Sequence, residues 1–306
     1  MGKECVYCGD TSVKLRGESE QSWLVVGSAT VDCVEQEDRT DYKAGGVVVY
    51  GGLTLLQHGL SVAVCTQMAQ RDRDVVALLK SAGAEVYVGE SLETTHFVNR
   101  VSGDQRQQLM PLAADPIGRD ALVAALGARQ NVLLGPLHPL DIAVEVFDWL
   151  AELEDRMVCA DIQGLVRSVR AGRVVPRVDS AVDALLRAAR SIKVAQEEWS
   201  LLLAWTKCDW VEMMERYRLY EVIVTDGSRG GYICTADGGR HAFAAAEVGQ
   251  IYDPTGAGDV FFASYLSQRI GRGRSIEASA RMAAQMAGRQ VAGELFAAET
   301  LGLQRP

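Results

Sequence analysis

The sequence lacks the features that mark nucleic-acid-binding, membrane-spanning and secreted proteins. Its 306 residues contain no run of Lys and Arg, and the formal net charge of −9 provides no basic surface for a phosphate backbone. The first twenty residues lack the apolar core of a signal peptide, and no later segment is apolar over the length that spans a bilayer. We therefore expect a cytoplasmic protein that binds neither nucleic acid nor membranes.

The cysteines and histidines are too scattered in the sequence to indicate a set of disulfide bonds or a metal-binding site. The seven cysteines are an odd number without regular spacing, which favours free thiols in a reducing compartment. Cys5 and Cys8 form a lone C-x-x-C pair with no second pair at zinc-ligand spacing, and the four histidines are spread along the chain. We interpret residues 1–22 as an N-terminal extension without a metal site.

Buried strands alternate with helices along most of the chain. Short apolar runs rich in β-branched residues, such as WLVVGSATVD, NVLLGPL and YEVIVTDG, are separated by segments with apolar residues at helical spacing. This alternation predicts βαβ units and an α/β fold with a mostly parallel sheet. Because 48% of the residues are hydrophobic and no linker divides the chain, we expect one domain over residues 23–306.

Two segments depart from this alternation. THFVNRVSGDQRQQLM (95–110) mixes apolar and polar residues around a Ser-Gly-Asp turn, which predicts a hairpin with one solvated face. GRHAFAAAEV (239–248) predicts an edge strand or hairpin. The first of these could project from the main body as a small sheet.

The stretch IYDPTGAGDVFFASYL (251–266) places Asp259 where glycine-rich backbone meets the start of a helix. One interpretation is an N-cap, because Asp accepts hydrogen bonds from free amides at a helix start. The other is catalytic: Gly256, Ala257 and Gly258 let backbone amides converge on an anion, and a carboxylate beside a phosphate suits a general base. Neither a P-loop nor a complete dinucleotide-binding glycine motif is present.

DPTGAGDVFFASYL resembles the C-terminal signature of the ribokinase-like family, the PfkB carbohydrate kinases. GGVVVYGGLTLLQHG (45–59) is similar to the family's N-terminal signature, and TDGSRGG (225–231) to its nucleotide-binding turn. KVAQEE (193–198) stands where the family has Asn-x-x-Glu. The resemblance covers roughly residues 23–293 and implies a ribokinase-like three-layer α/β/α fold with a small β lid, formed by segments around 32–46 and 95–110.

The resemblance also implies roles for individual residues. Asp259 matches the catalytic base, and Gly256, Ala257 and Gly258 match the anion hole. Glu198 matches the glutamate that organises Mg²⁺ through water. The residues implied to bind the cofactor are Lys193, Glu198, Thr225, Gly227 and Gly230. The residues implied to bind the substrate are Asp32, Gly45, Gly46, Tyr50, Asn99, Arg106, Gln163 and Arg167.

The chain departs from the family pattern at two positions. Tyr50 stands where many members have Asn, and Ala195 stands where Asn opens the Asn-x-x-Glu motif. The stretches around the substrate residues most resemble the inositol-kinase-like branch, with nucleoside kinases as the alternative. Plainer interpretations stay open for three residues: Asn99 as a solvated hairpin residue, Arg106 as a surface charge of the lid, and Arg167 as an ion-pair partner on a helix surface.

The resemblance implies in-line transfer of the γ-phosphoryl group of ATP, with Mg²⁺, to a hydroxyl of a small-molecule alcohol such as myo-inositol. The lid would exclude water, and the protein would be a monomer or homodimer. A ligand-binding protein without activity on the same fold is an alternative, although it would not need a base at the anion hole. A Rossmann-type dehydrogenase would need a glycine fingerprint after the first strand, which the sequence lacks.

Overall fold

The computed structural model describes residues 22–36, 39–102, 105–296 and 298–305. Cys5 and Cys8 lie outside the described residues. The strands, in chain order, are β1 (Ser22–Val26), β2 (Thr30–Gln36), β3 (Arg39–Gly45), β4 (Ser61–Met68), β5 (Glu85–Glu90), β6 (Thr95–Ser102), β7 (Gln105–Leu112), β8 (Asn131–Leu134), β9 (Met157–Asp161), β10 (Arg167–Arg170), β11 (Arg173–Pro176), β12 (Ser191–Ala195), β13 (Glu221–Thr225), β14 (Gly231–Thr235) and β15 (Arg240–Phe243).

The helices lie between these strands and after the last of them. They are α1 (Val47–Gln57), α2 (Asp74–Ser81), α3 (Arg119–Leu126), α4 (Val144–Ala151), α5 (Ala181–Ala188), α6 (Gln196–Thr206), α7 (Trp210–Tyr217), α8 (Ala257–Leu266), α9 (Ile276–Val291) and α10 (Ala298–Leu301). No helix in the described ranges is both long enough and apolar enough to cross a membrane.

The larger sheet has the order β15-β14-β13-β12-β9-β8-β1-β4-β5. From β13 to β5 the neighbouring strands pair in parallel, while β14 and β15 add an antiparallel edge. Leu24 and Val26 of β1 belong to one buried cluster, which includes residues of α3 to α7. Trp23 and Val25 belong to the cluster on the other face, with α1, α2, α8 and α9. The three-layer α/β fold and the edge strand are therefore confirmed.

The smaller sheet has the order β10-β11-β7-β6-β2-β3. β6 and β7 form the antiparallel hairpin that the sequence predicts, and β2 pairs in parallel with β6. Both segments expected in the lid thus belong to one sheet. The β10–β11 hairpin, whose turn places Ala171 at φ 48°, was not predicted and extends the sheet by two strands. That this sheet closes over a substrate stays a prediction.

Glycine at position 46 and glycine at position 256 allow two helices to begin next to the smaller sheet. Gly46 precedes α1 with φ 88°, and a Cβ there would lie 2.1 Å from the carbonyl oxygen of Ser28. Gly256 precedes α8 with φ 75°, and a Cβ there would lie 2.4 Å from the ring of Tyr50. A side chain at either position would be strained and would collide, so glycine brings the starts of α1 and α8 together.

Candidate active site

A cavity of about 420 Å³ lies where the smaller sheet meets the start of α8. Nine of the residues expected at the active site line it: Asp32, Gly46, Tyr50, Gln163, Arg167, Lys193, Gly256, Gly258 and Asp259. They come from strands, helix starts and loops that are distant in sequence. The fold therefore gathers most of the expected acceptor and phosphate residues in one place.

Asp259 is the third residue of α8, and the N-cap position is occupied by Gly256. Asp259 is therefore not the N-cap residue of α8. Burial and, to a smaller extent, the neighbouring Asp161 carboxylate raise the pKa of the Asp259 carboxyl to about 7, although Lys193 and Arg167 oppose the shift. An acid with this pKa can accept a proton at neutral pH, as a general base must.

The start of α8 supplies the amides of the expected anion hole. The first N–H groups of an α-helix have no partner within the helix, and they carry the positive end of its dipole. The Ala257 amide donates to the carbonyl of Pro254 at 3.2 Å, and Ala257 does not line the cavity in the described part of the chain. The amide of Ala257 is therefore engaged, and those of Gly256, Gly258 and Asp259, which all line the cavity, are the ones placed for an anion.

Lys193 of β12 brings a cation to the same helix start. A Cβ at position 258 would lie 2.8 Å from its Nζ, so glycine there lets the ammonium approach the backbone. Lys193 also donates to Asp161 at 2.7 Å. Burial lowers the pKa of the ammonium, but Asp161, Glu198 and Asp259 together raise it above its ordinary value. The lysine is thus held charged beside the anion hole.

Asp161 is a residue of the cavity that the sequence analysis did not single out. It ends β9, is 4% exposed, and accepts a hydrogen bond from the amide of Gln163 at 3.0 Å. Its sequence signal is an acid directly after the apolar run MVCA (157–160). Asp161 ends β9, whereas Asp32 is the third residue of β2, and both line the same cavity.

Asp32 is buried in β2 and lines the cavity on the side of the smaller sheet. Burial raises the pKa of its carboxyl, while a hydrogen bond from Thr30 at 2.7 Å and the charge of Lys43 lower it. Gly45, expected at this site, lies against it, because a Cβ at position 45 would be 2.5 Å from Asp32 Oδ2. Asp32 thus presents a carboxylate in a position suited to a substrate hydroxyl.

Lys43 and Asp253 form an ion pair that the sequence did not suggest. Lys43 lies opposite Asp32 in the β2–β3 pair and donates to the Asp253 carboxylate. Asp253 in turn accepts from the amide of Thr255 at 2.9 Å. Burial raises the pKa of Asp253, yet the hydrogen bond and charge of Lys43 bring it below its ordinary value. The pair joins the smaller sheet to the loop that precedes α8.

Tyr50 is 1% exposed and packs between that loop and the C-terminal segment. Its ring lies against Gly256 and tilts toward the ring of Phe296, with 6.3 Å between the ring centroids. Its hydroxyl has no hydrogen-bond partner among the described residues. Burial raises the pKa of this hydroxyl well above its ordinary value, with further contributions from Asp32, Asp253 and Asp259. It stays a neutral group that can bond to a bound oxygen.

Asn99 is buried in β6, with 3% exposure, and does not line the cavity in the described part of the chain. It accepts a hydrogen bond from Gln108 of β7, which does line the cavity. The solvated-hairpin interpretation of Asn99 is therefore wrong. Arg106 lies in β7, but its side chain lies outside the described residues.

Arg167 begins β10 and is half-buried, so it is not an ion-pair partner on a helix surface. Its Nε donates to the carbonyl of Leu137 at 2.6 Å. Its guanidinium lies over the ring of Phe97, 5.3 Å from the centroid. Burial lowers the pKa of Arg167, and nearby carboxylates, first Glu198, oppose that shift. It is a fixed cation in the cavity wall.

Glu198 lies in the first turn of α6 and accepts a hydrogen bond from the amide of Ala195 at 2.9 Å. Burial raises the pKa of its carboxyl, and Lys193 opposes the shift. The described residues contain no cluster of three or more His, Cys, Asp or Glu side chains that could hold a metal.

A second cavity, of about 430 Å³, lies between β15 with its following loop and α9. Its walls are mostly small or apolar side chains from Ala242 to Ala246 and from Ala284. Thr225 ends β13, and Gly227 and Gly230 form the turn that leads into β14. A Cβ at Gly230 would lie 2.2 Å from the carbonyl of Phe243, so this turn abuts the wall of the second cavity.

Residues 20–294 match the family profile described as pfkB family carbohydrate kinase. A pyrophosphate-dependent kinase in the ribokinase family, complexed with a pyrophosphate analog and myo-inositol, has a TM-score of 0.76 and 23% identity, covering 88% of this chain and 94% of that one. A fructokinase with bound ATP from Xylella fastidiosa has a TM-score of 0.75 and 18% identity, covering 89% and 92%.

The nucleoside kinase of Methanocaldococcus jannaschii has a TM-score of 0.71 and 16% identity, covering 89% of this chain and 91% of that one. No curated protein matches the chain in sequence. At these identities the similarity to solved structures shows a shared ribokinase-like fold. The acceptor must be inferred from this chain's own residues.

Proposed function

The chain belongs to the pfkB family of carbohydrate kinases, and from this premise we propose that it transfers the γ-phosphoryl group of ATP to a hydroxyl of a cyclitol such as myo-inositol. The observation that carries the proposal is the convergence of Asp259, Lys193 and Asp32 on one cavity. Phosphoryl transfer to an alcohol uses a base, a cation that binds phosphate and a group that holds the acceptor. Asp259, Lys193 and Asp32 can supply these in that order.

The chemistry assigned to Asp259 is proton removal. As the acceptor oxygen attacks the γ-phosphorus, its proton passes to the Asp259 carboxylate, and the bond to the β–γ bridging oxygen breaks to release ADP. The amides of Gly258 and Asp259 and the ammonium of Lys193 face the charge on the phosphoryl oxygens. Because these groups are already placed by the fold, little reorganisation is needed during the reaction.

Magnesium fits the residues present, and Glu198 would hold it through water. The ion would neutralise phosphate charge when bound. Glu198 offers a partly buried carboxylate near Lys193, which matches the oxygen ligands that Mg²⁺ prefers. The absence of an Asn at Ala195 removes one amide from this position, so the water shell and the phosphates would supply more of the ligands.

A polyol acceptor is supported by the polar groups in the wall of the first cavity. Asp32 and the carboxamides of Gln108 and Gln163 offer acceptors and donors, and Arg167 offers donors. The Tyr50 hydroxyl adds a buried group that still needs a partner. A ring with several hydroxyls could satisfy such a set, since each hydroxyl both donates and accepts.

ATP as donor is supported by the second cavity. The small and apolar side chains of residues 242–246 and Ala284 suit a flat base, and Glu277, Arg281 and Gln285 add polar groups to the wall. The cavity also adjoins the turn that contains Gly227 and Gly230. Pyrophosphate, the donor of one structural neighbour, would leave this cavity without a role. We also propose that the smaller sheet, with its segments around 32–46 and 95–110, acts as the lid of a single kinase domain over residues 23–306.

The proposal is tested by incubating the purified protein with Mg²⁺, either ATP or pyrophosphate, and a panel of cyclitols, hexoses, ketoses and nucleosides. Phosphorylated products are identified by ³¹P NMR, and donor consumption is followed in parallel. We expect the highest kcat/KM with ATP and a cyclitol. A preference for nucleosides would replace the acceptor, and a preference for pyrophosphate would replace the donor. Donor consumption without a phosphorylated product would show hydrolysis instead of transfer.

A further inference from the structure

Gln108 and Asn99 face each other across the β6–β7 hairpin. They are directly opposite in the antiparallel register, and Gln108 Nε2 donates to Asn99 Oδ1 at 3.1 Å. Asn99 is 3% exposed and does not line the cavity among the described residues, whereas Gln108 is part of its wall. The asparagine is thus a support, and the glutamine is the group that a ligand would meet.

The other end of the Gln108 carboxamide is held as well. Gln108 Oε1 accepts a hydrogen bond from Arg167 at 3.4 Å, and Arg167 is itself fixed by the carbonyl of Leu137 and the ring of Phe97. A carboxamide has two N–H donors and an oxygen with two lone pairs. One donor and one lone pair are engaged here, so one of each remains for a ligand, with an orientation that the protein has set.

We propose that Gln108 is a specificity-determining residue, which selects the hydroxyl of a ring polyol that is presented to Asp259. The inference deepens the proposed function and rests on it. A cyclitol carries several hydroxyls of similar reactivity, so regioselectivity has to come from how the ring is oriented. A donor and an acceptor at fixed positions favour the orientation in which a pair of neighbouring hydroxyls complements them. Other orientations leave buried polar groups without partners, which costs free energy.

The adjacent residue provides a matched control. Gln107 is the same residue type, one position earlier in β7, and pairs with Arg100 instead of Asn99. Because successive side chains of a strand point to opposite faces, it faces away from Gln108. Gln107 does not line the cavity in the described part of the chain. Q107L therefore removes the same carboxamide from the same strand without removing the proposed contact.

The experiment compares wild type, Q108L, N99L and Q107L with ATP and the best cyclitol of the panel. Two-dimensional NMR of the completed reactions gives the ratio of regioisomeric monophosphates, and steady-state kinetics give KM and kcat. For Q108L we expect a change of roughly tenfold in the isomer ratio and a rise of similar size in acceptor KM, as loss of a buried hydrogen bond predicts. N99L should shift the ratio in the same direction by freeing Gln108, and Q107L should match wild type.

A purely structural role for Gln108 would lower the melting temperature and leave the isomer ratio unchanged. If Q108L gives the same isomers and the same acceptor KM as Q107L, the inference is overturned while the proposed function stands. If the wild-type protein phosphorylates no cyclitol at all, the proposed acceptor is wrong and the inference falls with it.

Discussion

The ammonium of Lys193 lies 2.7 Å from the carboxylate of Asp161, and both side chains are buried. The pair joins the neighbouring interior strands β12 and β9, in which Lys193 lies opposite Asp161, close to the start of α8. Asp161 thereby compensates the charge of a lysine that also borders Gly258 and Asp259. We expect this pair to have both a structural role and a role in phosphate binding, and suitable variants can separate the two.

K193M should destabilise the protein, because it leaves the buried Asp161 carboxylate without its cation. Removing one member of a buried ion pair costs about 3–5 kcal/mol in the free energy of unfolding. The double variant K193M/D161N replaces the charged pair by neutral groups and should recover most of this loss. Urea unfolding of the three proteins measures the effect. Equal stability of the single and double variants would contradict the pairing.

The same variants test donor binding. Both K193M and K193M/D161N lack the ammonium beside the anion hole, so both should raise the KM for ATP roughly tenfold or more, as loss of a charge-assisted hydrogen bond predicts. The double variant is the informative one, because its fold is restored while its cation is not. An ATP KM near that of wild type in the double variant would show that Lys193 is structural only.

The pH dependence of the reaction should report the raised pKa of Asp259. A general base must be deprotonated to act, and burial and Asp161 raise the pKa of this carboxyl to about 7. We therefore expect kcat/KM to increase about tenfold per pH unit below that value and to level off above it. The measurement is kcat/KM across about pH 5.5 to 8.5, with melting curves at each pH to exclude unfolding. A profile that is flat down to the lowest pH would contradict an Asp259 base with a raised pKa.

Lys43 and Asp253 are 210 residues apart in sequence and connect the smaller sheet with the loop before α8. K43M should remove the hydrogen bond that helps to hold Asp253, and with it the order of the turn in which Thr255 donates to Asp253. We expect a loss of about 1.5–3 kcal/mol in unfolding free energy and a fall in kcat/KM of roughly tenfold. K43R should recover part of both.

A suitable control for K43M is K80M, because Lys80 is exposed in α2. The measurements are urea unfolding and steady-state kinetics on all three variants. If K43M behaves like K80M in both, the ion pair does not contribute to the anion-hole loop.

Local sequence patterns predicted the parts of the site that are contiguous in the chain. The small residues before Asp259 indicated close backbone approach, and the structure shows why: Gly256 meets the ring of Tyr50, and Gly258 meets Lys193. The alternation of strands and helices predicted the parallel sheet because each buried strand is apolar along its length. Asp161 could have been found from its place directly after the apolar run 157–160.

The parts that escaped prediction depend on register or on contacts over long sequence distances. The polar residues of 95–110 predicted a hairpin, but the sequence did not show that Asn99 lies directly opposite Gln108 on the same face of the sheet. Of the two, Gln108 lines the cavity, and it was missed. The short strands β10 and β11 are four residues each, too short for a clear alternation. The Lys43–Asp253 pair has no local signal at all.

The replacement D259N decides whether Asp259 is a catalytic base. Asn keeps nearly the same shape and leaves the start of α8 in place, but it cannot accept the proton, so kcat should fall about a hundredfold to ten-thousandfold. The stability of the protein should not fall together with kcat.

A carboxyl whose pKa is raised on folding stabilises the protein at pH values below its unfolded pKa, and this contribution is lost as the pH rises through about 7. At pH 8 the buried, ionised carboxylate does not stabilise the folded protein, so the variant with a neutral Asn should have a melting temperature equal to or above that of wild type. ATP affinity, measured by titration on the same preparations, should be unchanged or slightly tighter because a negative charge beside the phosphates is removed. A D259N protein that turns over within a few-fold of wild type would refute the mechanism, and one that loses activity together with stability and ATP binding would show a structural role.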